Sequence, residues 1–258
     1  MSGEHDAATV RRVEQVMGFP VSLAIRGRHR EDAAGRDAWD AVLASLRAAE
    51  AVFSHYRPQS WASRLGRGEV TVADCPPEVA EVLAIAEEAR RDSGGAFDVH
   101  RPGADGVRRL DTAGVVKGWA LERAAVWLTG LPDTDSCLSG GGDVLCHNAS
   151  PGSPPWRIGI EDPADPRRII ATVAIANGAI ATSGTAHRGA HLVDARTGAA
   201  PTAVAQVSVI APSLTRADVD ATAAYALGPD AARWLGGRPG TSGLVVWADG
   251  TTEVVGDP

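Results

Sequence analysis

The amino-acid sequence predicts an α+β fold, with helices concentrated in the first half and antiparallel strands in the second. Apolar residues recur at helical spacing in three long blocks before residue 132, whereas the later segments are short, β-rich and punctuated by Gly and Pro. Strands and helices also fail to alternate one for one, which argues against a parallel sheet built from βαβ units.

Residues 11–27 read as two strands around a turn in "GFP", because Val21, Leu23 and Ile25 alternate with other residues. "DAWDAVLASLRAAEAVFSHY" places Trp39, Val42, Leu43, Leu46 and Val52 on one helical face, and "RPQSWASRLGRGE" reads as a loop. "PPEVAEVLAIAEEARRDSGG" is a second amphipathic helix, opened by Pro and closed by Gly94 and Gly95. "AFDVHRPGADGVRRLDTAG" reads as a polar connector and "KGWALERAAVWLTGL" as a third helix. Strand segments follow in "SCLSGGGDVLCHN", "PWRIGIEDP", "RIIATVAIA", "GAIATSG" and "AQVSVIAP". A short alanine-rich helix "RADVDATAAYALG" comes next, then "DAARWLGG" and a hairpin turning at Asp249-Gly250. No linker or repeat forces a cut, so residues 1–258 are expected to form one domain.

With 44% hydrophobic and 22% charged residues, the chain has the composition of a soluble globular protein. A net charge of −7 without a basic run argues against nucleic-acid or anionic-membrane binding, which needs clustered Lys and Arg. No apolar run reaches the roughly 20 residues of a membrane-spanning segment, and the first residues lack an apolar leader core. Cys75, Cys137 and Cys146 form no CxxC, which fits a reducing compartment. A cytoplasmic location is the expectation.

Asp218 and Thr222 stand one helical turn apart on the same face. Thr215 with Asp218 matches the [ST]-x-x-[DE] capping pattern, and spacing alone favours that cap. Thr222 is left over, since threonine is a mediocre helix former among alanines. A carboxylate and a hydroxyl on one face also suit a hard cation. In "LDTAGVVKGWALE", Lys117 falls near a helix start, where a cation opposes the helix dipole; a phosphate would neutralise both, and a solvated surface lysine is the plain reading. "SGGGDV" is a tight turn or a place of close ligand approach. His187 and His191, four apart, invite zinc but lack HExxH, and Ser183, His191 and Asp194 lack the GxSxG elbow of a hydrolase.

Taken together and in order, "GAFDV", "LDTAGVVKGWALE", "SGGGDV", "WRIGIEDP", "IATSGTAHRGAHLVDARTG" and "VIAPSLTRADVDATAAYALG" resemble the ApbE family, the FAD:protein FMN transferases. The resemblance runs from Met17-Gly18 to Gly228. TSG, then H-x-x-D-x-x-T-G, then A-D-x-x-A-T is its most specific series. It implies an ApbE-like fold and a Mg²⁺ site made by Asp218, Thr222 and the backbone carbonyl of Gly114. It implies FAD contacts at Met17, Ala96, Phe97, Asp98, Asp111 and Lys117, with further matches at Tyr56 and His191. Family members move FMN from FAD to a Thr or Ser of an acceptor protein and release AMP, which casts Lys117 as an electrostatic group and His191 as the general base. The chain departs from the family at Trp61, Gly66, Glu122 and a short connector at 99–110. It contains no D-x-x-[ST]-x-A-T acceptor motif, so the acceptor is expected to be another protein. An FAD pyrophosphatase and a non-catalytic FAD-binding protein are the alternatives.

Overall fold

A computed structural model describes residues 9–102, 107–149, 152–184 and 192–256. Alternation in the first strands builds a hairpin of β1 (Val10–Val16) and β2 (Phe19–Gly27), with Val16 opposite Phe19. The turn is Met17-Gly18 rather than "GFP": both residues have positive φ, 56° and 81°, as a two-residue hairpin loop requires.

Helix α1 (Ala33–Phe53) is capped by Asp32, whose carboxylate accepts from Gly35 N–H. The segment expected to be a loop contains a six-residue helix, α2 (Trp61–Gly66), started by Ser60 accepting from Ser63 N–H. Helix α3 (Pro77–Asp92) begins on proline as expected. The expected connector holds a small hairpin of β3 (His100–Pro102) and β4 (Arg108–Leu110). Helix α4 (Ala113–Thr129) begins four residues earlier than its apolar pattern suggests.

The later strands are β5 (Thr134–Gly140), β6 (Asp143–His147), β7 (Trp156–Glu161), β8 (Ile169–Ile175), β9 (Gly178–Gly184) and β10 (Val204–Ala211). Helices α5 (Leu214–Leu227) and α6 (Ala231–Gly236) precede the closing hairpin of β11 (Ser242–Trp247) and β12 (Thr252–Val255). Eight strands form one sheet in the order β1-β2-β5-β6-β9-β10-β11-β12, and every pairing in it is antiparallel among the described residues. Its strands come from both ends of the chain. The fold is mixed helix and sheet, although the early hairpin and the two late helices soften the expected division into halves.

Strand periodicity divides the sheet into two faces. Leu23, Ile25, Ala179, Ala181 and Val245 join the main core beneath α1, α4 and α5, while Ala24, Ile180 and Leu244 point to a smaller core under the separate β7–β8 ribbon. Helix α5 is buried almost all round, at Ala217, Val219, Ala221, Ala223, Ala224 and Tyr225. That answers why it is so rich in alanine: small side chains let it lie between the sheet and α4. Leu121 and Leu128 of α4 and Leu214 of α5 are fully buried, each contributing about 1.5–3 kcal/mol of hydrophobic stabilisation. No described helix is long and apolar enough to cross a membrane.

Candidate functional site

At one end of the sheet a cleft of about 220 Å³ opens between the start of α4, one face of α5, the β5–β6 turn, β7 and β9. Its apolar walls include Phe97, Val144, Ile158, Ile160, Ile180 and Leu192, and its polar floor includes Lys117, Thr182, Ser183, Asp218 and Thr222.

The floor depends on a close approach of two helices. Gly118 of α4 lies so near α5 that an added Cβ would stand 2.8 Å from Asp218 Cβ and 2.9 Å from the Leu214 carbonyl. Any larger residue would push the helices apart. Across that contact Gly118 N–H donates to Asp218 Oδ2 at 2.9 Å. The usual helical acceptor for that amide is the Gly114 carbonyl, four residues back, so Asp218 competes for its proton. Gly114 itself faces Phe97 and the Thr222 methyl group, and Thr222 Oγ1 shares a 3.1 Å hydrogen bond with Ser183 Oγ.

Asp218 is therefore no cap. The α5 N-cap is Ser213, accepting from Arg216 N–H. Thr215 is also engaged elsewhere: its N–H (2.9 Å) and hydroxyl donate to Glu122 of α4, as does Ser213 Oγ. Glu122, where the family pattern has Asp, thus supplies an acidic group at the α5 N-terminus from a neighbouring helix.

Lys117 is the fifth residue of α4, inside the helix rather than at its start. Its Nζ lies 2.9 Å from Asp143 Oδ2 and 3.3 Å from Asp218 Oδ1. The dipole conflict expected for it is outweighed by these two carboxylates. Burial alone would lower the lysine pKa, but Asp218 and Asp143 together hold it above its ordinary value. Asp143 follows the Gly141-Gly142 turn of the β5–β6 hairpin, both glycines having positive φ. It is fully buried, and burial followed by repulsion from Asp218 pushes its carboxyl up to about 7. Among the described residues, the two buried carboxyl groups face one ammonium.

The cleft rim is built differently. Asp111 accepts from Ala113 N–H at 3.0 Å, opening α4, and pairs with Arg101. Thr112 N–H donates to His55 Nε2 at 3.2 Å, and that imidazole lies 3.7 Å from Asp111. Burial, then the charge of Arg101, lowers the His55 pKa, favouring the neutral form that accepts this bond. Asp98 pairs with Arg108 at 2.6 Å.

Eight residues selected from sequence line this cleft: Ala96, Phe97, Asp98, Asp111, Gly114, Lys117, Asp218 and Thr222. Met17, at the β1–β2 turn, and Tyr56, almost fully exposed, do not line it. His187 and His191 lie outside the described residues. Asp194, the third residue of the Ser183, His191 and Asp194 order, is held by Arg196 at 2.7 Å in its own loop, which lowers its pKa. Arg101 was missed because it sits in a stretch read as plain connector. Asp143 was visible only as part of a glycine turn, although an acid immediately after a glycine pair and at the head of an apolar strand is the signal that could have found it.

Asp218, Thr222 and Gly114 line the same cleft and offer it a carboxylate, a hydroxyl and a backbone carbonyl, all oxygen donors. Among the described residues there is no group of three His, Cys, Asp or Glu suited to a metal. A set of one carboxylate with neutral oxygens fits Mg²⁺, which takes few carboxylates and completes its shell with phosphate and water.

Comparison with known proteins gives a consistent result. The model of the ApbE family matches residues 17–102 and 103–244. An FAD:protein FMN transferase of Rhodobacter capsulatus is 29% identical over 172 residues, covering 61% of this chain and 32% of that protein, so the match spans about a third of the curated relative's length. The crystal structure of the ApbE protein from Thermotoga maritima superposes with a TM-score of 0.79 at 21% identity, covering 96% of this chain and 97% of that one. The flavinyl transferase ApbE of Pseudomonas stutzeri gives 0.80 at 21%, covering 96% of each chain.

Proposed function

The chain belongs to the ApbE family, and on that premise we propose that it is an FAD:protein FMN transferase, moving FMN from FAD to a threonine or serine hydroxyl of an acceptor protein and releasing AMP. The observation that carries the reading is the meeting of Lys117, Asp218, Thr222 and Gly114 on one polar floor beside apolar walls. A flavin ring suits the walls near Phe97, Ile158 and Ile160, and a diphosphate suits the floor.

In this reading Asp218, Thr222 and the Gly114 carbonyl hold Mg²⁺. When bound, the ion supplies neutralising charge for a diphosphate and for a leaving phosphate. Lys117 presents an ammonium to the same oxygens, fixed in a buried setting where its charge is worth more than in water. Asp98 and Asp111 offer acceptors at the rim. The acceptor hydroxyl oxygen forms a bond to the FMN phosphorus, the bridging P–O bond breaks, and its electrons leave with AMP. His191 takes the hydroxyl proton, imidazole being a common general base. Phosphoryl transfer asks mainly for such positioning and electrostatics.

Strands from both chain ends in one sheet support reading residues 1–258 as one domain. The three free thiols, Cys75, Cys137 and Cys146, suit a reducing compartment such as the cytoplasm.

Incubation with FAD and Mg²⁺, with and without a protein carrying D-x-x-[ST]-x-A-T, tests the function by mass spectrometry. The expected result is an acceptor that gains FMN, with AMP in solution. FMN freed equally without acceptor would make the protein a pyrophosphatase, and FAD bound unchanged would make it a binding protein.

A further inference from the structure

The floor contains a contradiction that the transfer chemistry leaves unexplained. A lysine 3.3 Å from a metal-binding carboxylate is a competitor for it. Lys117 and Asp218 both face the cleft, whereas Asp143 does not line it and is wholly buried beside the ammonium. Among the described residues its one other side-chain hydrogen bond is a long 3.4 Å contact from Thr182 N–H to Oδ1. Oδ2 is 2.9 Å from Lys117 Nζ and has no other bonded partner among the described residues. Such a buried carboxylate oxygen is costly unless a charge is held against it.

We propose that Asp143 is a positioning residue: it retains the Lys117 ammonium when a divalent cation takes Asp218, so that lysine and cation occupy the floor together. The proposal rests on the metal reading above. The shorter distance to Asp143 anchors the lysine from the side away from the cleft. The β5–β6 turn fixes that anchor independently of both helices. One ammonium and one divalent cation can then share two carboxylates. Without Asp143 the ammonium has only Asp218 as its partner, and a cation must displace it.

The test is isothermal titration of the metal-free protein with MgCl₂, without nucleotide, for wild type, D143N, K117M and the double variant. The asparagine of D143N preserves shape and removes charge. D143N is expected to lose about tenfold or more in Mg²⁺ affinity, the scale of a close charge pair. K117M is expected to bind Mg²⁺ more tightly than wild type. In the K117M background D143N is expected to cost no more than about threefold, because there is no ammonium left to hold. Circular dichroism checks that each variant is folded.

Equal losses from D143N in both backgrounds would overturn the proposal, since they would arise without the lysine. So would an unchanged affinity in folded D143N. Should D143N not fold, K117M decides alone: unchanged or weaker Mg²⁺ binding sinks the idea that lysine and cation compete. Wild type that binds no Mg²⁺, alone or in a repeat with FAD present, overturns the metal reading and this proposal with it, whereas failure in the variants alone leaves the metal reading standing.

Discussion

The floor and the rim of the cleft handle charge in opposite ways. On the floor, Asp143 and Asp218 are 0% and 2% exposed, and Lys117 between them keeps 14% of its side-chain surface. On the rim, Asp111 and Arg101 keep about 29% and 30% of their side-chain surface in water, and Arg108 opposite Asp98 keeps 50%. Water screens the rim pairs, which makes each worth at most about 1 kcal/mol. The floor charges lie in a low-dielectric setting, carried by two helices that touch through Gly118 and by a hairpin turn. The difference teaches where specificity and chemistry divide. A rim of loops and short strands can tune how a ligand docks, while the floor holds charges in place before anything binds.

The largest effect is expected from Asp218→Ala. It removes a carboxylate from the floor, and turnover is expected to fall about a hundredfold or more, as when one preorganised electrostatic group is lost. Stability is expected to change by no more than about 1–2 kcal/mol, because Gly118 N–H can return to the Gly114 carbonyl and Lys117 keeps Asp143 as a balanced partner. Single-turnover assays and thermal melts read the two quantities separately. An unfolded variant would instead make Asp218 a structural tie between α4 and α5.

A smaller effect is expected at the rim from Asp111→Asn. The amide can still accept from Ala113 N–H, so α4 keeps its opening contact, but the ion pair with Arg101 is lost. KM for FAD is expected to rise about threefold with kcat unchanged, the mark of an interaction felt equally in ground and transition states. A matching fall in kcat would move Asp111 from rim to floor and redraw the boundary between them.

How much of this division was legible in the chain depends on the range over which each signal acts. The long helices were readable because their periodicity is local, and α5 was placed to within two residues of its start. Helix α2 was missed because six residues cannot display a period, although Ser60 three residues before Ser63 was a usable cap signal. The sheet order was hidden. Strand β7 alternates buried and exposed residues like its neighbours, yet it leaves the main sheet to pair with β8, which brings β6 beside β9. Asp218 shows the limit most clearly. Its local pattern fits a helix cap, whereas its bonded partner Gly118 is 100 residues away and no spacing rule reaches that far. The family resemblance overruled the local reading, and eight of the positions it selected line the cleft. Arg101 needed the folded chain, because its role exists only opposite Asp111, while Asp143 left a local trace after its glycines that named no partner.

Tyr56 sharpens the same boundary from outside. The family resemblance makes it a flavin contact, but its side chain is 98% exposed and does not line the cleft, though it is adjacent in sequence to His55 at the rim. Tyr56→Ala removes no buried area and no described hydrogen bond, so stability is expected to stay within about 0.5 kcal/mol of wild type. If the ligand contacts end at the cleft walls, KM for FAD also stays within about twofold, well below the tenfold that 1.4 kcal/mol of lost contact gives. A rise beyond about tenfold with normal melting would mean that the bound dinucleotide extends past Asp111 onto the surface of the α1–α2 loop. The rim would then be a strip reaching from His55 outward, and its weak individual contacts would add up over a larger area than the cleft alone presents.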